Sequence, residues 1–356
     1  MSPLLALFAH PEIAPGLSVE DWNGVLRAGH SERVLGRLGY RLERFGVAEA
    51  CPRTAREAME GARYYPRFVQ VQVEREVRAL RRALSPLDTE VILLKGAAYQ
   101  LAGLPIAEGR ISADLDILVR RERLAAIEER LLAEGWEAKA LDAYDQRYYR
   151  TWMHEIPPLR HKDRDIEIDV HHSLLPLTSR LRPDPALLWE ASVPLETPGL
   201  RVLGPCDMLL HTAAHLFQDG EIRGGLKDLL DIQGLLESFS GQAGYFGRLL
   251  ERARRLDLGR PLYYALRYAH LLLDVPIPAE VRRETRSLGP PAPVAALMDR
   301  LVTRVLDPHY PLRREPVVSQ WLLYVRSHWL RMPPGLLTSH LGRKVWRRLG
   351  GRTTEH

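Results

Sequence analysis

Two aspartates separated by one apolar residue, in Asp114-Leu115-Asp116-Ile117-Leu118-Val119, are the residues of this 356-residue chain whose type and spacing best suit chemistry. Side chains alternate along a strand, so both carboxylates face one side while Leu115 and Ile117 face the other. Adjacent carboxylates repel each other. A hard divalent cation such as Mg²⁺, which prefers carboxylate and phosphate oxygens, removes that cost. A third acid follows in Asp165-Ile166-Glu167-Ile168-Asp169-Val170-His171, where strict alternation sets Asp165, Glu167, Asp169 and His171 on one face of a second strand. If the two strands pair, three carboxylates converge, enough to hold two Mg²⁺ ions about 3.5–4 Å apart for an in-line displacement at phosphorus. The plain alternatives are surface acids at a strand start for Asp114 and Asp116, and a neutral hydrogen-bonding role for His171.

These residues need a framework. Val91 to Leu94 reads as a strand buried on both faces and ended by Lys95-Gly96, with a short helix from Gly96 to Leu101. The free N–H groups at such a strand-to-helix turn favour an anion, which makes this a seat for phosphate. Lys95 is either a phosphate contact or a lysine extending to solvent at a strand end. Arg110 is either a phosphate contact or the partner of Glu108 or of a site acid. Upstream, the pattern is helical from a capping arrangement at Ser18-Val19-Glu20-Asp21 to about Leu84, and Phe68, Val71, Val73, Val77, Leu80 and Leu84 form the expected inward face of its last helix. Downstream, Arg121 to Glu134 is an amphipathic helix with Leu124, Ile127, Leu131 and Leu132 inward, stopped by Gly135. Trp136 to Leu141 reads as a short strand. Tyr144, Tyr148, Tyr149 and Trp152, beside Arg147 and Arg150, either stack a nucleobase or pack a sheet edge. The polar cluster Lys162 to Asp165 turns a hairpin that delivers Asp169.

A proline-punctuated stretch with little periodicity follows, from Pro176 to Pro205, and reads as a connector. His211 and His215 then lie four apart on one helix face, but Thr212 stands where a zinc-protease motif needs glutamate, so helix packing or hydrogen bonds facing the cleft are expected. Lys227 and Asp231 have the spacing of a helical ion pair, and Lys227 is the alternative candidate for a triphosphate or acceptor contact across the cleft.

The residues Leu94-Lys95-Gly96, Arg110, Ser112-Ala113-Asp114-Leu115-Asp116-Ile117-Leu118-Val119 and Ile168-Asp169-Val170-His171 resemble the uncharacterised bacterial nucleotidyltransferase family of the polymerase-β-like superfamily. The resemblance runs from about Phe68 to Leu236 and takes in Leu226 to Leu236 as the family's helical segment. It implies a minimal palm, metal ligation by Asp114, Asp116 and Asp169, and transfer of a nucleoside monophosphate from an NTP, ATP first, to a hydroxyl acceptor with release of pyrophosphate. Lys95, Gly96, Arg110, Ser112 and Lys227 are the expected nucleotide contacts, and two Mg²⁺ ions, or Mn²⁺, the expected cofactors. The superfamily's Gly-Ser phosphate loop is replaced here by Gly96-Ala97 after Lys95. Ser112 and Lys95 are the candidates to replace the lost hydroxyl.

The expected fold is α+β: an N-terminal helical segment (1–86), a palm with a mixed sheet (87–175), the proline-rich connector (176–204) and a C-terminal helical domain (205–356) that closes the cleft. The formal charge of +5 with 46% apolar residues is ordinary globular composition and selects no partner. Two cysteines, Cys51 and Cys206, without metal-type spacing suit a reducing cytoplasm. Leu4 to Ala9 is too short for a signal peptide, and no apolar run is long enough for a membrane span. No basic helix or repeated aromatic platform marks a nucleic-acid module. The tail Arg343-Lys344-Val345-Trp346-Arg347-Arg348 is either a solvated helix end or a contact for an anionic membrane surface or nucleic acid. The acceptor stays open among a small metabolite, a sugar, a peptide and a protein side chain. Two readings compete with transfer to a small acceptor: AMP transfer to a protein partner, as in toxin–antitoxin pairs, and a nucleotide-binding or scaffold protein without turnover.

Overall fold

A computed structural model describes residues 1–141, 143–218, 222–308 and 316–331. The basic stretch 343–348 and the side chain of Tyr144 lie outside the described residues. The chain opens with helices α1 (Pro3–Ala9), α2 (Val19–Ser31), α3 (Leu35–Arg44) and α4 (Arg53–Leu84). Ser18 caps α2 in a full capping box with Asp21. The buried stripe of α4 is Val69, Val73, Val77, Leu80 and Leu84, whereas Phe68 and Val71 are 58% and 47% exposed. Counting apolar residues alone placed those two inward. On a 3.6-residue helix Val71 falls nearly opposite the stripe set by Val69 and Val73, so it faces water.

The middle of the chain alternates β1 (Val91–Leu93), α5 (Lys95–Leu101), β2 (Asp114–Leu118), α6 (Leu124–Ala133), β3 (Trp136–Ala138), α7 (Ala143–Trp152), β4 (Leu159–His161), β5 (Glu167–His171), α8 (Pro185–Ala191), β6 (Val193–Pro194) and β7 (Leu200–Val202). Among the described residues these strands form one seven-stranded mixed sheet, in the order β3-β4-β5-β2-β1-β7-β6. The fold is α+β. The central strands β1 and β2 are antiparallel, while β2 and β5 run parallel. Helices α4 and α6 pack together, and α4 also meets β2. Ile127 and Leu131 of α6 are buried, but Leu132, expected inward, is 43% exposed because it lies one step past the stripe they define. Gly135, at φ +96°, ends that helix segment in a conformation that L side chains rarely adopt.

The proline-rich stretch is more structured than its composition suggests. It carries α8 and both β6 and β7, and β7 lies parallel to β1. Three residues are too few for a strand period to show, and prolines on either side hide it further.

The chain continues through α9 (Pro205–Gln218), α10 (Leu226–Phe239), α11 (Tyr245–Arg255), α12 (Gly259–Leu273), α13 (Ala279–Arg286), α14 (Ala292–Leu306) and α15 (Val317–Arg331). Helices α9, α10 and α12 pack on one another. Among the described residues, no helix is long and apolar enough to cross a membrane.

Candidate active site

The parallel register of β2 and β5 sets Asp114 opposite Glu167 and Asp116 directly opposite Asp169. On the reverse faces Leu115, Ile117, Ile168 and Val170 are fully buried, and that burial fixes which way the acids point. Asp114, Asp116 and Asp169 each offer an oxygen within 4.8 Å of the others. Asp116 is 2% exposed. Burial pushes its carboxyl up, but Lys95 and the hydrogen bond from His171 overcome that and hold it well below the usual carboxylate range. Asp169 goes the other way. Burial, reinforced by Asp116, Glu155 and Asp114 and partly opposed by His171, pushes it up to about 7. Its Oδ1 is buried with no hydrogen-bond partner, an arrangement that costs free energy unless something else ligates the oxygen. Three carboxylates, one with an orphaned oxygen, are the donor set of a hard divalent cation, so the residues fit a metal.

Lys95 stands at the start of α5 with φ +46°, a left-handed conformation that costs a residue with a side chain about 1–2 kcal/mol. The turn aims its ammonium at the acids: Nζ donates to Asp116 Oδ1 at 3.0 Å. At Gly96 the absence of a side chain is required. A Cβ there would overlap Ser112 Oγ and Arg110 Nη1 and lie 2.8 Å from Ser112 Cβ. Arg110 Nη1 donates to Ser112 Oγ at 2.6 Å and its Nε to Asp231 Oδ2 at 3.0 Å, with the guanidinium 5.6 Å from the centre of the Tyr99 ring. Lys95, Gly96, Arg110 and Ser112 therefore form one contiguous floor beside the triad.

Arg110 does not pair with Glu108 or with a triad acid; Glu108 takes Arg44 instead, at 2.5 Å. Its partner Asp231 comes from α10 and also accepts from Arg37 of α3 at 2.7 Å. The spacing of Lys227 and Asp231 predicts a helical pair, and the structure corrects it: both Asp231 oxygens serve arginines from other elements. Lys227 is exposed, and its carbonyl accepts from Arg37 at 3.1 Å.

His171 bridges two acids, with Nε2 3.0 Å from Asp116 Oδ1 and Nδ1 3.3 Å from Glu155 Oε2. Burial lowers its affinity for a proton, but the carboxylates on both sides raise it above the ordinary imidazole range overall. His154 and His211 are buried nearby, and burial first, then neighbouring positive groups, hold both well below that range. His215 pairs with Asp228 of α10 at 3.4 Å. On α7, Tyr148 packs edge-on against Tyr149 and Trp152, at 6.2 and 5.9 Å between centres, and Arg150 holds Glu128 at 2.7 Å.

Glu155, His154, Arg37 and Asp231 were not singled out from sequence as site residues. Glu155 joins the sheet through a single antiparallel bridge to His171, which leaves no periodic signal. The only trace is a His-Glu pair just ahead of the hairpin.

An α+β fold with a strand-borne Asp-x-Asp facing a third strand acid is the arrangement that the resemblance to nucleotidyltransferases implies. The family model described as uncharacterised nucleotidyltransferase matches residues 18–274, and the chain belongs to that family. The match is wider than the stretch that carries the motifs, reaching from α2 through α12. The protein is thus a transferase of nucleotidyl groups, with an NTP as the substrate its family implies. No curated protein matches the chain.

Proposed function

We propose that this protein transfers a nucleoside monophosphate from an NTP, ATP first, to a hydroxyl acceptor and releases pyrophosphate. The observation that carries the reading is the Asp116–Asp169 register with Asp114 alongside and the Asp169 Oδ1 orphaned. Asp114, Asp116 and Asp169 are the residues that would hold the metal, two Mg²⁺ ions or Mn²⁺. Bound there, the metal neutralises triphosphate charge and acidifies the acceptor hydroxyl.

The chain's own residues supply the rest. The acceptor oxygen forms a bond to the α-phosphorus as the bond to the bridging α–β oxygen breaks, pyrophosphate leaves, and Asp169 accepts the hydroxyl proton. Lys95 places a positive charge where the phosphates collect. Gly96 keeps the floor low enough for the triphosphate, and Ser112 offers the hydroxyl that Ala97 lacks. Arg110 positions Ser112, and Lys227 contacts the triphosphate from the rim of α10.

A second reading, nucleotide binding without turnover, is favoured by the load on Asp116 Oδ1, which already meets both Lys95 Nζ and His171 Nε2. Label separates the two. With NTP labelled at the α-phosphate, transfer predicts label in an acceptor fraction; with γ-label it predicts none. Binding alone predicts retained nucleotide and no labelled product from either. Label on a co-expressed protein partner would identify that partner as the acceptor; label in a small molecule would assign a metabolite or sugar.

A further inference from the structure

Beside the carboxylate triad lies a second group with different donors, and its case does not depend on the transfer reaction. His154, Glu155 and His171 each offer a ligand atom, all within 4.8 Å of one another. His171 Nδ1 and Glu155 Oε2 are 3.3 Å apart. Two ligands about 2.1 Å from one tetrahedral ion stand about 3.4 Å apart, so this separation suits a shared cation as well as a shared proton. His154 adds an independent observation. The residue is 7% exposed, and its Nδ1 is buried with no hydrogen-bond partner. A buried ring nitrogen left without a partner costs free energy that ligation would remove. The far nitrogen of His171 completes the pattern: metal-binding imidazoles commonly give their other N–H to a carboxylate, and Nε2 lies 3.0 Å from Asp116 Oδ1.

We propose that His154, Glu155 and His171 form a cation site separate from the carboxylate triad, suited to a borderline divalent ion such as Zn²⁺. Two imidazoles and one carboxylate with an open position are a zinc-type donor set, whereas Mg²⁺ prefers oxygen alone, so the two groups sort ions by chemistry. An ion here replaces any proton between Nδ1 and Glu155 and fixes the Nε2 hydrogen on Asp116. His171 then acts as a positioning residue for the triad.

The test is Zn²⁺ titration of the chelator-treated full chain in excess Mg²⁺, with X-ray absorption on the zinc-loaded protein. The expected result is one Zn²⁺ per chain with two imidazole ligands. His154→Gln should weaken Zn²⁺ binding about 10-fold or more and remove one imidazole from the spectrum, while Asp114→Ala should leave Zn²⁺ affinity within about 2-fold. The proposal is overturned by no Zn²⁺ binding under excess Mg²⁺, by bound zinc without imidazole scattering, or by binding that Asp114→Ala abolishes and His154→Gln spares. A wild-type spectrum without imidazole ligands overturns the proposal even if a variant fails to fold.

Discussion

Asp169 and Asp116 sit directly across two parallel strands, and their environments push their carboxyls in opposite directions. That asymmetry comes from their surroundings: Lys95 and His171 bond to Asp116, while Asp169 is buried beside other carboxylates and its Oδ1 has no hydrogen-bond partner. Lys95→Met is therefore expected to weaken triphosphate binding and leave Asp116 poorly compensated, read as a raised KM for NTP. Gly96→Ala should be more damaging to the fold. Its methyl would displace Ser112 and Arg110, costing about 1–3 kcal/mol as overpacking, measured as a lower midpoint in urea. The three acids were legible in the sequence because a period of 2 fixes a shared face, and hydrophobic neighbours on the other face fix which one. Glu155 and His154 were not. They lie in an irregular segment, where nothing in the spacing reports that a bridge will bring them to His171.

At the scale of elements, α10 is held to the site by charge. Asp231 accepts from Arg37 of α3 and from Arg110 beside Ser112, partners 194 and 121 residues away in sequence. Such a triad cannot be read from local spacing, so the sequence suggested the nearer Lys227 instead. Asp231→Ala leaves two buried guanidinium groups without their carboxylate and should cost about 3–5 kcal/mol, visible as a large drop in thermal midpoint. A second contact between α9 and α10 carries a pH signature. Burial pushes Asp228 up, but His215, Lys227 and Arg110 bring it down to about 2, below its ordinary 3.8. A depressed folded value means that the stabilisation is present above about pH 4 and is lost as pH falls toward 2. Asp228→Asn should thus be less stable than wild type by about 2 kcal/mol at pH 5, with the gap closing below about pH 4. An unchanged gap at pH 3 would place the effect in packing rather than charge. Strand β7 shows the limit of reading elements from composition: three residues between prolines read as connector, yet they pair with β1 at the core of the sheet.

For the whole molecule, the sheet strands that carry the acids were legible because strand, glycine turn, Asp-x-Asp strand and alternating strand follow one another in a short span. The helices around it were legible as helices, but not in how they meet the site. If the triad holds metal in the folded state only, Mg²⁺ should raise the stability of the entire chain, by about 2.7 kcal/mol at 100 times its Kd, and the rise should vanish in Asp114→Ala. The measurement that bears most directly on the account is pyrophosphate release from each NTP with Mg²⁺ or Mn²⁺, using host cell extract as the source of acceptor. Wild type is expected to release pyrophosphate, and Asp114→Ala and Asp116→Ala to reduce it by about 100-fold or more. Release at the wild-type rate in both variants would contradict the assignment of the strand acids, and metal-dependent NTP binding with no release in wild type would make this a binding protein.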